Sequence, residues 1–124
     1  MDFKEKKVIY LQIAEMLCDD ILLKKYPEGE RIPSVREYAA TVEVNANTVV
    51  RAYEWLQAQE IIFIKRGLGY FVEEGAREAI ATMRRREFLN ESLPEVFRAM
   101  RTLGITMEEV AERFKSYEVG QEKE

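Results

Sequence analysis

Apolar residues in this chain recur at helical spacing almost throughout, and the pattern breaks in one place. Between Ile61 and Val72, "IIFIKRGLGYFV" carries two runs of β-branched and aromatic residues around Lys65-Arg66-Gly67-Leu68-Gly69. Two short runs of that kind about a glycine-bearing tip predict a β-hairpin. A fold built on this chain must therefore accommodate one two-stranded ribbon among helices.

Three helical segments precede the ribbon. From about Val8 to Lys24, Tyr10, Ile13, Ala14, Leu17 and Ile21 form an apolar stripe that Cys18 and Leu22 widen. "YPEGERIP" then interrupts the helix with Pro27, Gly29 and Pro33, and Gly29 is expected to take a positive φ. A capping box, Ser34-x-x-Glu37, opens a short helix that ends near Thr41, with Tyr38, Ala39 and Val42 pointing inward. "VNANTVVRAYEWL" (Val44 to Leu56) supplies the third helix, with core stripe Val49, Ala52, Tyr53 and Leu56. Asn47, Val50, Arg51 and Glu54 fall on another face. Of the two asparagines, Asn45 suits the N-cap, while Asn47 sits one step inside, where it adds nothing to capping. Trp55 lies just off the stripe and is expected to pack against later helices.

The remainder reads as helical. Gly75 to Asn90 carries Ala76, Ile80 and Met83 on one side. Ser92 is expected to cap a second helix with Pro94 in its first turn and the stripe Leu93, Val96, Phe97, Met100 and Leu103, stopped by Gly104. Thr106-x-x-Glu109 caps a third, with Val110, Ala111 and Phe114 inward, and the tail after Tyr117 is expected to fray.

Composition removes several classes of function. Cys18 is the only cysteine and histidine is absent, which excludes an internal disulfide, a His-containing zinc site and any His-based catalytic dyad or triad. Cys18 is expected to be a small core hydrophobe, and no cofactor is expected. No apolar run could span a bilayer, and the start, "MDFKEKK", lacks a signal-peptide core, so a cytoplasmic protein is expected. The net charge of −4 repels DNA at long range, and any DNA-binding face must be a local positive patch. Arg84-Arg85-Arg86 is read as a solvated helix face.

A short helix, a tight turn and a helix with small polar residues in its first turn make the helix-turn-helix pattern. Recognition helices present such residues to base edges and phosphates in the major groove, where asparagine pairs with adenine and arginine with guanine or phosphate. The fold expected is mainly α (α+β): a winged helix-turn-helix with a two-stranded wing over residues 1–74, then a short all-helical dimerisation region over 75–124.

Taken in order, "IYLQIAEML", "GERIPSVREYAA", "VNANTVVRAYEWL" and "RGLGYFV" resemble the GntR family of bacterial transcription regulators over about Val8 to Val72. The asparagine-rich third motif is similar to that of the YtrA subfamily, whose members carry a short helical C-terminal region. The resemblance implies DNA contacts at Arg36, with Ser34 beside it, at Asn45, Asn47 and Thr48 in the first turn of the recognition helix, and at Lys65, Arg66, Gly67 and Gly69 on the wing. Arg51 is read as a phosphate contact or an intrahelical partner of Glu54. Many family members have arginine where Ala46 and Val50 stand here, so the base sequence read should differ from theirs.

The function expected is a sequence-specific transcription regulator of the repressor type, acting on a palindromic operator; the resemblance to the YtrA group implies transport-related genes of its own operon as the target. A palindrome calls for a two-fold dimer, expected to join through Ile80, Met83, Leu93, Phe97, Met100 and Phe114. The alternative is a winged-helix protein-interaction module that does not touch DNA. An enzyme is not expected, since the chain lacks histidine, a metal cluster and a phosphate-loop motif. The aminotransferase-like domains fused to some GntR-like domains would need a far longer chain. Whether a small-molecule effector exists is left open.

Overall fold

A computed structural model describes residues 8–122. The elements are α1 (Ile9–Leu22), α2 (Val35–Val42), α3 (Ala46–Ala58), β1 (Ile62–Lys65), β2 (Gly69–Val72), α4 (Ala76–Glu87), a π-helical turn (Phe88–Ser92), α5 (Leu93–Leu103) and α6 (Met107–Glu122). The chain divides into two compact units, one running through Arg85 and the other from Arg86 onward.

The core of the first unit is assembled from the expected stripes. Ile13, Ala14, Leu17, Cys18 and Ile21 of α1 are buried, as are Val49, Ala52, Tyr53 and Leu56 of α3. Each large aliphatic side chain fully withdrawn from water in this way contributes about 1.5–3 kcal/mol. Tyr53 is the central member. Its hydroxyl donates to the Pro33 carbonyl at 2.7 Å, and its ring meets Tyr70 edge-on at 4.9 Å. One α3 side chain thereby ties together the approach to α2 and the wing. Trp55 is half-buried against this same core.

The capping box of α2 is complete. The Ser34 hydroxyl accepts from the Glu37 amide at 3.1 Å, and the Glu37 carboxylate accepts from the Ser34 amide at 2.8 Å. The helix ends one residue later than expected, at Val42, and Glu43 turns the chain with a left-handed φ of 56°. A non-glycine residue rarely takes that conformation, which costs of order 1 kcal/mol.

β1 and β2 pair antiparallel, with Ile62 opposite Val72 and Lys65 opposite Gly69. The stretch expected only to break the chain does more than that. Gly29, at φ 84°, donates to the Val72 carbonyl at 2.8 Å, Val72 donates to the Glu30 carbonyl at 2.9 Å, and Ile32 donates to the Tyr70 carbonyl at 2.9 Å. Residues 29–32 thus line the outer edge of β2, and that edge is not left as a free template for strand addition.

The compact first unit takes in α4 as far as Arg85, beyond the 74/75 position at which the helical region was expected to begin. Ala76 and Ile80 are both 0% exposed within the core, and Met83 packs against it. Two polar ties hold the helix. At its start, the Glu28 carboxylate accepts from the amides of Gly75 and Arg77 at 2.9 and 3.0 Å. Near its end, Arg84 pairs with Asp19 at 2.8 Å and donates to the Glu15 carbonyl at 3.2 Å. Arg84 is therefore an internal brace, and only Arg85 and Arg86 of that run are exposed.

These carboxylates set a pH response. The Gly75 and Arg77 amides hold Glu28 below the ordinary carboxylate range, and the Ser34 amide and hydroxyl do the same for Glu37. A depressed folded-state pKa contributes stability above the unfolded value of 4.5 and loses it as pH falls through the folded value. The melting temperature should accordingly drop below pH 4.5. In Glu28→Gln that drop should be shallower, and an equal drop would remove Glu28 from the account.

In the second unit the expected break before α5 is absent. Ser92 has helical dihedrals and makes no side-chain cap, and the backbone stays helical from α4 through the π turn into α5. The cause is Pro94. A proline ring inside a helix clashes with the carbonyl four residues back and lacks an N–H, and a widened turn relieves both. The stop at Gly104 is as expected, with φ 69° and Ile105 donating to the Met100 carbonyl at 2.9 Å. The Thr106 hydroxyl accepts from the Glu109 amide at 3.2 Å. α6 continues past Tyr117 to Glu122 where fraying was expected.

None of the described side chains of this second unit is buried. Ala111 and Phe114, expected to point inward, are exposed, and Val110 is half-buried. Among the described residues no helix is long and apolar enough to cross a membrane.

Candidate nucleic-acid interface

The first turn of α3 separates the work of its two asparagines. Asn45 has extended dihedrals, and its Oδ1 accepts from the Asn47 amide at 2.7 Å. Its carbonyl also accepts from the amides of Thr48 and Val49, at 3.0 and 3.3 Å. Asn45 is the cap. The Asn47 backbone is thereby satisfied and its side-chain amide is exposed, with a donor pair and an acceptor available to a partner. Thr48 is half-buried beside it. The aligned peptide dipoles add a partial positive charge at this end of α3, which favours an anion such as phosphate.

Arg36 stands exposed on α2, and it forms no ion pair with a carboxylate among the described residues. The Ser34 oxygen is occupied by the cap, but the hydroxyl retains its proton for donation. Arg51 is exposed, and its guanidinium lies over the Tyr10 ring, 4.4 Å from the centroid. An ion pair with Glu54, the alternative expected for Arg51, is not formed among the described residues.

The wing presents Arg66 at its exposed tip, with Gly67 at φ 80° and Gly69 at φ 111°. Lys65 is less free than its sequence position suggests. Its ammonium sits 4.5 Å over the Phe71 ring, and Phe71 stacks on Phe63 at 5.9 Å. The exposed pair Ile64 and Leu68 completes the tip.

Arg31 is a basic residue that sequence reasoning missed. It bridges to Phe71 of β2, and its guanidinium lies 3.9 Å from the Glu37 carboxylate. A Cβ on Gly69 would come within 3.0 Å of its Nε. Glycine at 69 is needed for its φ, and the absence of a Cβ there leaves the Arg31 side chain room to lie close. Arg31 therefore places the start of α2 beside the base of the wing. Its only signal in the sequence was a basic residue in a turn, because the contact depends on strand pairing across some forty residues.

The residues expected at a dimer contact are divided between the two units. Ile80 is consumed by the core of the first unit and offers nothing to a second copy, and Met83 packs half-buried against that core. In the second unit Leu93 and Met100 are half-buried, while Phe97 and Phe114 are 49% and 59% exposed.

Among the described residues no group of acidic, cysteine or histidine side chains is placed to hold a metal ion.

Comparison with known proteins agrees with this arrangement. Residues 9–72 match the bacterial regulatory proteins of the gntR family. The HTH-type transcriptional regulator YhcF of Bacillus subtilis (strain 168) is 35% identical over 95% of this chain and 96% of its own. The HTH-type transcriptional repressor YtrA of the same organism is 29% identical over 93% of this chain and 88% of its own. A crystal structure of a GntR-family transcriptional regulator from Bacteroides thetaiotaomicron superposes with a TM-score of 0.79 at 50% identity, covering 94% of this chain and all of that one. The family match over residues 9–72 and relatives that match nearly end to end carry the conclusion: the chain belongs to the gntR family, and it is a DNA-binding transcription regulator with YtrA-type relatives.

Proposed function

We propose that the protein is a homodimeric repressor that reads a palindromic operator in the cytoplasm, with its own transport-related operon as the target. Asn47 and Thr48 read base edges in the major groove. Arg36, Arg51 and Ser34 hold phosphates, and Arg66 with the Gly67–Gly69 tip follows the adjoining minor groove or backbone. Asn45 and Lys65 act chiefly by shaping these elements. The observation that carries the reading is the split at the start of α3, where one asparagine caps and the next is exposed with its amide uncommitted.

Repression is supported by the likeness to the repressor YtrA. Dimerisation is supported by the second unit, whose apolar residues, Phe97 and Phe114 among them, stand exposed in a single chain. Large apolar side chains left in water in that number suit an interaction site. Binding-site selection on random duplex DNA tests both parts. It should return an inverted repeat whose half-sites lie one or more helical turns apart. A single unrepeated site, or only monomer by ultracentrifugation at micromolar concentration, would defeat the dimeric operator reading.

A further inference from the structure

Arg51 lies on the α3 face that also bears Asn47 and Val50. Its recorded contact comes from another element. Tyr10, in the first turn of α1, presents its ring 4.4 Å beneath the Arg51 guanidinium. Tyr10 is itself half-buried against the core, so the ring is a fixed platform.

A contact with an aromatic face spends none of the N–H donors of arginine, because those donors lie in the guanidinium plane. An ion pair with Glu54 would have spent them and neutralised the charge. The ring instead restricts a long side chain that would otherwise sample many rotamers, and it leaves the charge intact. We propose that Tyr10 is a positioning residue for DNA binding, holding the Arg51 guanidinium with its donors directed outward to a backbone phosphate. The assignment rests on α3 being the recognition helix.

The test is a titration of a labelled random-sequence duplex followed by fluorescence anisotropy over a range of salt concentrations. Four variants are compared with the parent protein: Arg51→Ala, Tyr10→Phe, Tyr10→Leu, and Tyr10→Leu combined with Arg51→Ala. Leucine keeps most of the packing and removes the ring quadrupole, and thermal melting verifies that each variant is folded. Arg51→Ala should lower the slope of log affinity against log salt by about 0.9, the value of one phosphate contact. Tyr10→Leu should weaken binding about 2–5-fold, the range for an exposed cation–π contact, and take part of that slope with it. Tyr10→Phe should bind as the parent does, and Tyr10→Leu should add no loss once Arg51 is alanine.

An equal loss from Tyr10→Leu with and without Arg51 would reduce Tyr10 to a packing residue and overturn the proposal, as would no loss at all. Parental binding by Arg51→Ala would overturn it too while leaving the DNA-binding reading intact. Failure of the parent protein to bind the duplex would bring both down.

Discussion

Phe97→Asp should convert the proposed dimer to monomer and reduce affinity for a full palindromic operator by about 10²–10⁴-fold, the loss expected when two linked half-site contacts become independent. Phe97 is 49% exposed in the single chain and sits in a unit with no buried described residue. Placing a carboxylate at an apolar contact costs several kcal/mol unless it finds a partner. The first unit should be untouched, because its core is complete without α5. Sedimentation at micromolar concentration, with anisotropy titrations on full and half operators, checks both halves of this expectation. A variant that stays dimeric would move the interface away from Phe97. Binding to the isolated half-site should be unchanged, which separates a lost dimer from a lost fold.

The second large effect is expected at Asn47. Asn47→Ala should cost about 1–3 kcal/mol on the selected operator and relax the base preference at one position of each half-site. Thermal stability should barely move, since the Asn47 side chain is exposed and the capping bond is made by its backbone amide. Asn45→Ala should behave in the opposite way. It removes the acceptor 2.7 Å from that amide and should lower stability by about 0.5–2 kcal/mol. Its effect on operator binding should follow from fraying of the first turn and leave base preference unaltered. Selection experiments on both variants, with melting curves beside them, distinguish the two asparagines. If Asn45→Ala relaxed base preference and Asn47→Ala did not, the roles would be reversed.

The wing and its supports show how neighbouring elements were legible to different degrees. The hairpin, its glycine tip and its basic residues were plain from the change in hydrophobic period. Lys65, expected at the DNA contact, also lies across Phe71, because residues on alternate positions of paired strands share a face with the aromatic stack. Gly69 looked like a turn glycine, and its second constraint, the approach of Arg31, appears only once residues 29–32 are laid along β2.

The sequence alone determined the features that depend on contacts within a few residues. Helical and strand periods located all the helices and the hairpin, the reciprocal bonds of Ser34 and Glu37 set the start of α2, and the asparagine pair defined the start of α3. Such hydrogen bonds are local, so residue type and spacing are enough to specify them. Tertiary structure alone decided where α4 belongs. Ile80 reads as one more apolar residue on a helix face, equally suited to its own core or to a second copy. The choice is made by Glu28 at one end and by Asp19 and Glu15 at the other, residues far away in the chain that hold α4 against α1. The same is true of Arg51, whose neighbour within α3 was the alternative partner on spacing grounds. The fold brought it a tyrosine from α1 instead, and non-local packing of that kind leaves no trace in the spacing of residues.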